Sequence, residues 1–283
     1  MWEPKVSVTR WLAAPLLAVA VAGSPTLDAE ANPRADAVPM RASLFLNDDL
    51  EGDCEPPNGD AVPAALSVSG SGPTVRLRVL YALDGITIPE ARRIVDRAAR
   101  IYAPMHVELT ATYAPFRLPS DGVAADGQPT VGVVAALRAV QARYERPPAG
   151  HHVVHLLTAK DLVDDRAPQR DGKDTVAGIA TCVGGARYDG QQFSVGEAKF
   201  RFFEPGAPDD FHAIVVAHEI GHLLGAQHHY GNCHEGRTRI PGFTGSCTTM
   251  SPFGLANSEV FGTLERRVIR AYAEDVASRG ASS

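Results

Sequence analysis

The stretch that most constrains this 283-residue chain is His218-Glu219-Ile220-Gly221-His222-Leu223-Leu224-Gly225-Ala226-Gln227-His228. Residues four apart share one face of an α-helix, so the spacing sets the imidazoles of His218 and His222 side by side. Two such nitrogens hold one metal ion, and Glu219 stands beside the first of them. Gly225 suits the sharp turn that ends a helix, because glycine takes the left-handed conformation without a Cβ penalty. That turn brings His228 back under the metal as a third ligand. A catalytic zinc keeps three protein ligands and one open position, which this set matches. Leu223, Leu224 and the run from Ala213 to Ala217 mark the helix as packed in a core. Core packing alone does not explain three histidines and a glutamate at these spacings.

These residues imply a reaction. Zinc on His218, His222 and His228 lowers the pKa of its water towards about 7 and polarises a scissile carbonyl. Glu219 serves as the general base and later returns the proton to the leaving amine. Two other readings stay open: a zinc-binding module that has lost catalysis, and a zinc exopeptidase or amidase acting on a different substrate. Glu219 argues against the first, since a non-catalytic module has no need of it. His229 competes in principle with His228, but the spacing favours His228. His151, His152 and His155 flank a strand and read as structural or exposed. His212 lies a turn and a half before His218 and should point elsewhere.

Charge divides the chain. Residues 1–22 carry a net +1, residues 23–72 a net −7 and residues 73–283 a net zero. There is no basic footprint of a nucleic-acid binder. Lys5 and Arg10 precede an apolar stretch from Trp11 to Ala22, which is too short to span a bilayer. Ala20-Val21-Ala22 offers the small residues of a cleavage site, so residues 1–22 read as a secretory signal cut after Ala22. The mature protein is expected to be secreted, extracellular and free of the membrane. Residues 23–72 are rich in Ala, Pro, Asp, Ser and Gly, a linker or pro-segment composition. Four cysteines (Cys54, Cys182, Cys233 and Cys247) in an oxidising compartment favour two disulfides, and sequence does not choose among the three pairings.

From Thr74 onward the pattern becomes that of a folded domain, residues 73–283. Val75, Leu77, Val79 and Tyr81 alternate with Arg76 and Arg78 as a half-buried strand. Pro89 opens a helix through about Tyr102, with Ile94, Ala98 and Ile101 on one face. Val107, Leu109 and Ala111 form a second strand. A helix is expected over 130–144 and a buried strand over 153–158. Two short strands follow within 176–183 and 193–200, and a long helix runs from Asp209 to about Leu224. The last helix is expected over 258–276, with Val260, Leu264, Val268 and Tyr272 on its apolar face. This order is α/β: one twisted, mixed but mostly parallel sheet with long helices packed on it.

The motif 218–228 resembles that of the metzincin clan of zinc endopeptidases. Cys247-Thr248-Thr249-Met250-Ser251-Pro252 resembles the methionine turn that the clan places beneath its metal. Gly178-Ile179-Ala180, followed by Cys182, is similar to the edge strand of the adamalysin (reprolysin) family. Two departures stand out: His229 where adamalysins usually carry Asp, and two residues rather than one between Cys247 and Met250. The resemblance implies one zinc, a protein or peptide substrate, and an extended substrate pairing with the strand near 176–183. Met250 would floor the site without ligating. Against that family, Cys233 is expected to pair with Cys247 and Cys54 with Cys182. The competing reading makes Cys54 a latency thiolate at zinc's fourth position, although Glu51, Asp53 and Glu55 beside it disfavour a thiolate.

Overall fold

The computed structural model describes residue 54 and residues 72–124, 127–165, 176–199, 209–228, 248–251 and 259–279. The expectations for the signal, the acidic segment, His229 and the pairing of Cys233 with Cys247 lie outside these residues. Strand β1 (Val75–Asp84) sits at the middle of the sheet's parallel region. It pairs in parallel with β2 (Val107–Pro115) on one side and with β5 (Val153–Thr158) on the other. Strands β3 (Gly122–Val123), β4 (Pro129–Gly132) and β6 (Asp161–Val163) form a separate small sheet. Strand β7 (Gly178–Ala180) pairs antiparallel with β8 (Phe193–Glu197), which pairs in parallel with β5. The main sheet therefore has the order β2-β1-β5-β8-β7, with β7 at its edge.

Helices cover both faces. Helix α1 (Ile88–Tyr102), α3 (Asp209–Leu223) and α4 (Thr263–Arg279) share one apolar core with Leu77, Val79, Tyr81 and Leu83 of β1. Helix α2 (Val133–Tyr144) closes the other face over Leu80, Ala82, Leu156 and Val195. The period-two alternation of β1 decides which side chain enters which core. Helix α1 begins where its sequence predicts. Thr87 is its N-cap, and the backbone N–H of Thr87 donates to Glu90 Oε2 at 2.8 Å, closing a capping box ahead of Pro89.

Three expectations need correction, one of them the start of the last helix: α4 begins at Thr263 rather than near 258, so Val260 lies ahead of it. Residues 130–132 are not helical; they complete β4, and α2 starts at Val133. Their side chains fit either element, and pairing of β4 with β6 settles it. The apolar face of α4 is also rotated from the expected one. Leu264 is 67% exposed, whereas Glu265, Ile269, Tyr272, Ala273 and Val276 are buried. A carboxylate turned inward at the first turn of a helix breaks the hydrophobic pattern from which that face was read.

Cys54 and Cys182 form a disulfide across 128 residues of sequence. Its sulfurs are thereby withdrawn from any metal, which removes the latency reading of Cys54. Inside the sheet, His155 is fully buried, facing Ser194 Oγ from Nδ1 at 2.8 Å, and burial depresses its pKa to about 3. It is a neutral core histidine within the central strand rather than beside it, which agrees with the structural half of the reading from sequence.

Candidate metal centre

Helix α3 carries the site because it is buried on almost every side. Ala213, Val215, Val216, Ala217, Ile220 and Leu223 are all fully buried, so the helix threads between the sheet and its neighbours rather than lying on the surface. Tyr102 of α1 grips it from behind. The Tyr102 hydroxyl donates to Ala217 O at 2.7 Å, one residue before His218. Burial first, then the neighbouring Tyr81 and Glu219, push the Tyr102 phenol well above the usual tyrosine range, so it stays a donor.

The helix stops as its sequence predicts. Gly225 has φ +83°, its N–H bonds to His222 O at 2.8 Å, and the Ala226 N–H bonds to Gly221 O at 3.0 Å. These two bonds make a Schellman cap. A side chain at 225 would be strained and would also strike the Tyr272 ring of α4, 2.7 Å from where its Cβ would lie. The turn then does a second job: Ala226 O faces His222 Nδ1 at 2.8 Å.

The three histidines converge. His218 Nε2 lies 2.9 Å from His222 Nε2 and 3.2 Å from His228 Nε2. The rings of His218 and His222 are buried and set edge to face, with centroids 4.6 Å apart. His218 Nδ1 meets Thr249 O at 2.7 Å. A carbonyl oxygen only accepts, so each of these two Nδ1 atoms carries the ring proton, and each Nε2 presents a bare lone pair. Lone pairs aimed at one point repel unless a cation lies between them. Tetrahedral zinc with bonds of about 2.0–2.1 Å spaces its nitrogens roughly 3.3 Å apart, close to what these rings adopt. Burial and the two neighbouring imidazoles hold His218 well below the usual histidine range, although the bond to Thr249 raises it. Neutral imidazole is the form that binds metal. The donor set thus fits zinc.

Glu219 is fully buried on the sheet side of the helix. It lies so close to β7 that a Cβ on Gly178 would come within 2.6 Å of Glu219 Oε1 and 2.7 Å of Val195 O. Gly178 is therefore required by close approach, one of several reasons for a glycine inside a strand. Met250 is fully buried, and a Cβ on Gly221 would meet its sulfur at 2.9 Å. The methionine sulfur thus packs against α3 at Gly221, between His218 and His222 in sequence. Gly178 as the neighbour of Glu219, Tyr102 and the carbonyls of Thr249 and Ala226 were not read from the sequence. Backbone acceptors carry no residue signal at all.

Residues 92–229 match the sequence model of the metallo-peptidase family M12B, reprolysin-like. No curated protein matches the chain by sequence. Among solved structures, the chain is similar to an archaemetzincin from Methanopyrus kandleri, at 18% identity and a TM-score of 0.43 over 74% of this chain and 97% of that one. It is also similar to myroilysin, at 15% identity and a TM-score of 0.22 over 64% of this chain and 62% of that one.

Metal analysis tests the centre. One zinc per chain is expected, and His218→Ala, His222→Ala and His228→Ala should each lose tight binding. His155→Ala, buried on β5 and outside the histidine cluster, should keep it. Retention of zinc by any of the three ligand variants would contradict the assignment.

Proposed function

With residues 92–229 matching the reprolysin-like M12B model, we propose that this chain is a zinc metallopeptidase of the metzincin clan, a secreted endopeptidase with Glu219 as its general base. The observation that carries the reading is the convergence of three imidazoles, with His222 Nε2 at 2.9 Å and His228 Nε2 at 3.2 Å from His218 Nε2, and with Glu219 on the helix that carries the first two. Zinc held there supplies Lewis acidity, polarising the scissile carbonyl and making a water acidic enough to attack at neutral pH.

The chain's own residues do the rest. The Glu219 carboxylate takes the proton from the attacking water and delivers it to the departing amine nitrogen. Its seat against Gly178 fixes where that proton is received. The close fit of Gly178 and Val195 O around it restricts its rotation. Thr249 O and Ala226 O hold the two ring protons, so His218 and His222 cannot exchange tautomers. Strand β7 is the sheet's edge, with no strand on its outer side among the described residues. An extended peptide adds to such an edge through backbone hydrogen bonds without needing a free terminus, which favours internal cleavage. The apolar stretch and small residues of 1–22 support export.

Activity is expected on an internally quenched peptide blocked at both termini and should disappear with a chelator. Cleavage only of peptides with a free terminus would favour an exopeptidase instead. Glu219→Ala should bind one zinc yet lose about 100- to 10,000-fold in kcat. Gly178→Ala, which displaces the same carboxylate, should fall in the same direction with zinc retained. Full activity in Glu219→Ala would contradict the mechanism. For export, N-terminal sequencing of the secreted protein should begin at Gly23, and recovery of the intact N-terminus from the medium would contradict signal cleavage.

A further inference from the structure

The carbonyl that receives His218 belongs to a turn anchored on another helix. Thr248 Oγ1 donates to Glu265 Oε1 at 2.8 Å and accepts from the Met250 N–H at 3.2 Å. Glu265 Oε2 accepts the N–H of Gly262 at 2.5 Å, just ahead of α4. The Thr249 N–H bonds to Val260 O at 2.8 Å, and the Ser251 N–H to Thr248 O at 3.1 Å. Glu265 is 6% exposed and Thr248 1%. A carboxylate buried to that degree is costly to keep, and neither the metal ligands nor the proton transfer uses it directly.

Resting on the reading that His218, His222 and His228 hold zinc, we propose that Glu265 is a positioning residue of the metal centre. Through Thr248 it holds the turn that aims Thr249 O at His218 Nδ1 and seats Met250 beneath Gly221. The chemistry asks for a carboxylate. Two donors, an O–H from Thr248 and an N–H from Gly262, arrive from opposite sides at one buried place. Only an ionised Asp or Glu offers two acceptor oxygens and no donor. Without it, Thr248 is free to rotate and the next carbonyl, Thr249 O, loses the alignment on which a hydrogen bond depends. His218 then loses the partner that selects its tautomer, and a ligand with an unfixed tautomer binds metal less tightly. The inward carboxylate that rotates the buried face of α4 is thus part of the site, although it lies 37 residues beyond His228 in sequence.

The test reads zinc affinity by chelator competition at 25 °C, with the melting temperature of the metal-free protein measured alongside. Glu265→Ala and Thr248→Val should each weaken zinc by about ten- to a hundredfold, the range for residues that orient ligands. The double variant should be no weaker than Glu265→Ala, because both act through one bond. Glu265→Gln keeps the shape and one acceptor oxygen, and Thr248 can turn its hydroxyl to accept, so it should recover part of the loss. Val276→Ala, buried on the same helix but away from the turn, should lower the melting temperature and leave zinc affinity unchanged. If Glu265→Ala does not fold, the near-isosteric Thr248→Val carries the same prediction. Wild-type zinc affinity in Thr248→Val and Glu265→Gln, or additive losses in the double variant, would overturn the positioning role alone. A wild-type protein that binds no zinc would overturn the underlying reading with it.

Discussion

Two hydrogen bonds set the orientation of the rings at the candidate metal centre: His218 Nδ1 to Thr249 O and His222 Nδ1 to Ala226 O. Each uses a group that can only accept, so each forces the proton onto Nδ1 and leaves Nε2 bare. One acceptor comes from the cap that ends α3, and the other from the turn around Met250. The geometry of a three-nitrogen site is thereby written into backbone, which has far less freedom than side chains. Hydrogen bonds of this kind also raise ligand basicity, so the same contacts that orient the rings strengthen their hold on a cation.

The rest of the fold serves that arrangement. A helix carrying His218, Glu219 and His222 must bury polar groups; α3 surrounds them with its own Ala217, Ile220 and Leu223, and Met250 packs on it from the turn. Helix α1 fixes its depth through Tyr102, the sheet fixes the position of Glu219 through Gly178, and α4 meets its C-terminal cap through Tyr272. Tyr272 of α4 lies against Gly225 and also against Gly184, where a Cβ would come within 2.9 Å of its ring. The Gly184 N–H in turn bonds to His222 O at 2.7 Å. The loop after β7 and the cap of α3 are thus held against one aromatic ring. That packing explains why close-approach glycines gather around the centre.

Much of this was legible in the sequence wherever a local period carried it. The alternation of β1, the Pro89 start of α1, the apolar run of β5 and the Gly225 stop of α3 are short-range signals, and each element stands where it was expected. The histidines that the motif groups do converge. What stayed illegible depends on partners distant in the chain. Whether residues 130–132 extend a strand or open a helix depends on pairing with β6. The face of α4 depends on a carboxylate that binds Thr248, not on the spacing of Val260, Leu264 and Val268. Gly178 looked like an ordinary edge-strand residue until Glu219 was found against it. The acceptors Thr249 O and Ala226 O have no side-chain signature, so no reading of residue types could have named them.

The central claim is that three imidazoles, two of them aimed by backbone carbonyls, form the metal's protein ligand set. X-ray absorption at the zinc edge of the loaded protein measures that set directly. The account predicts three imidazole nitrogens and one further light atom at about 2.0–2.1 Å, with the outer-ring scattering that identifies histidine. Sulfur near 2.3 Å, or scattering from only two imidazoles, would contradict it.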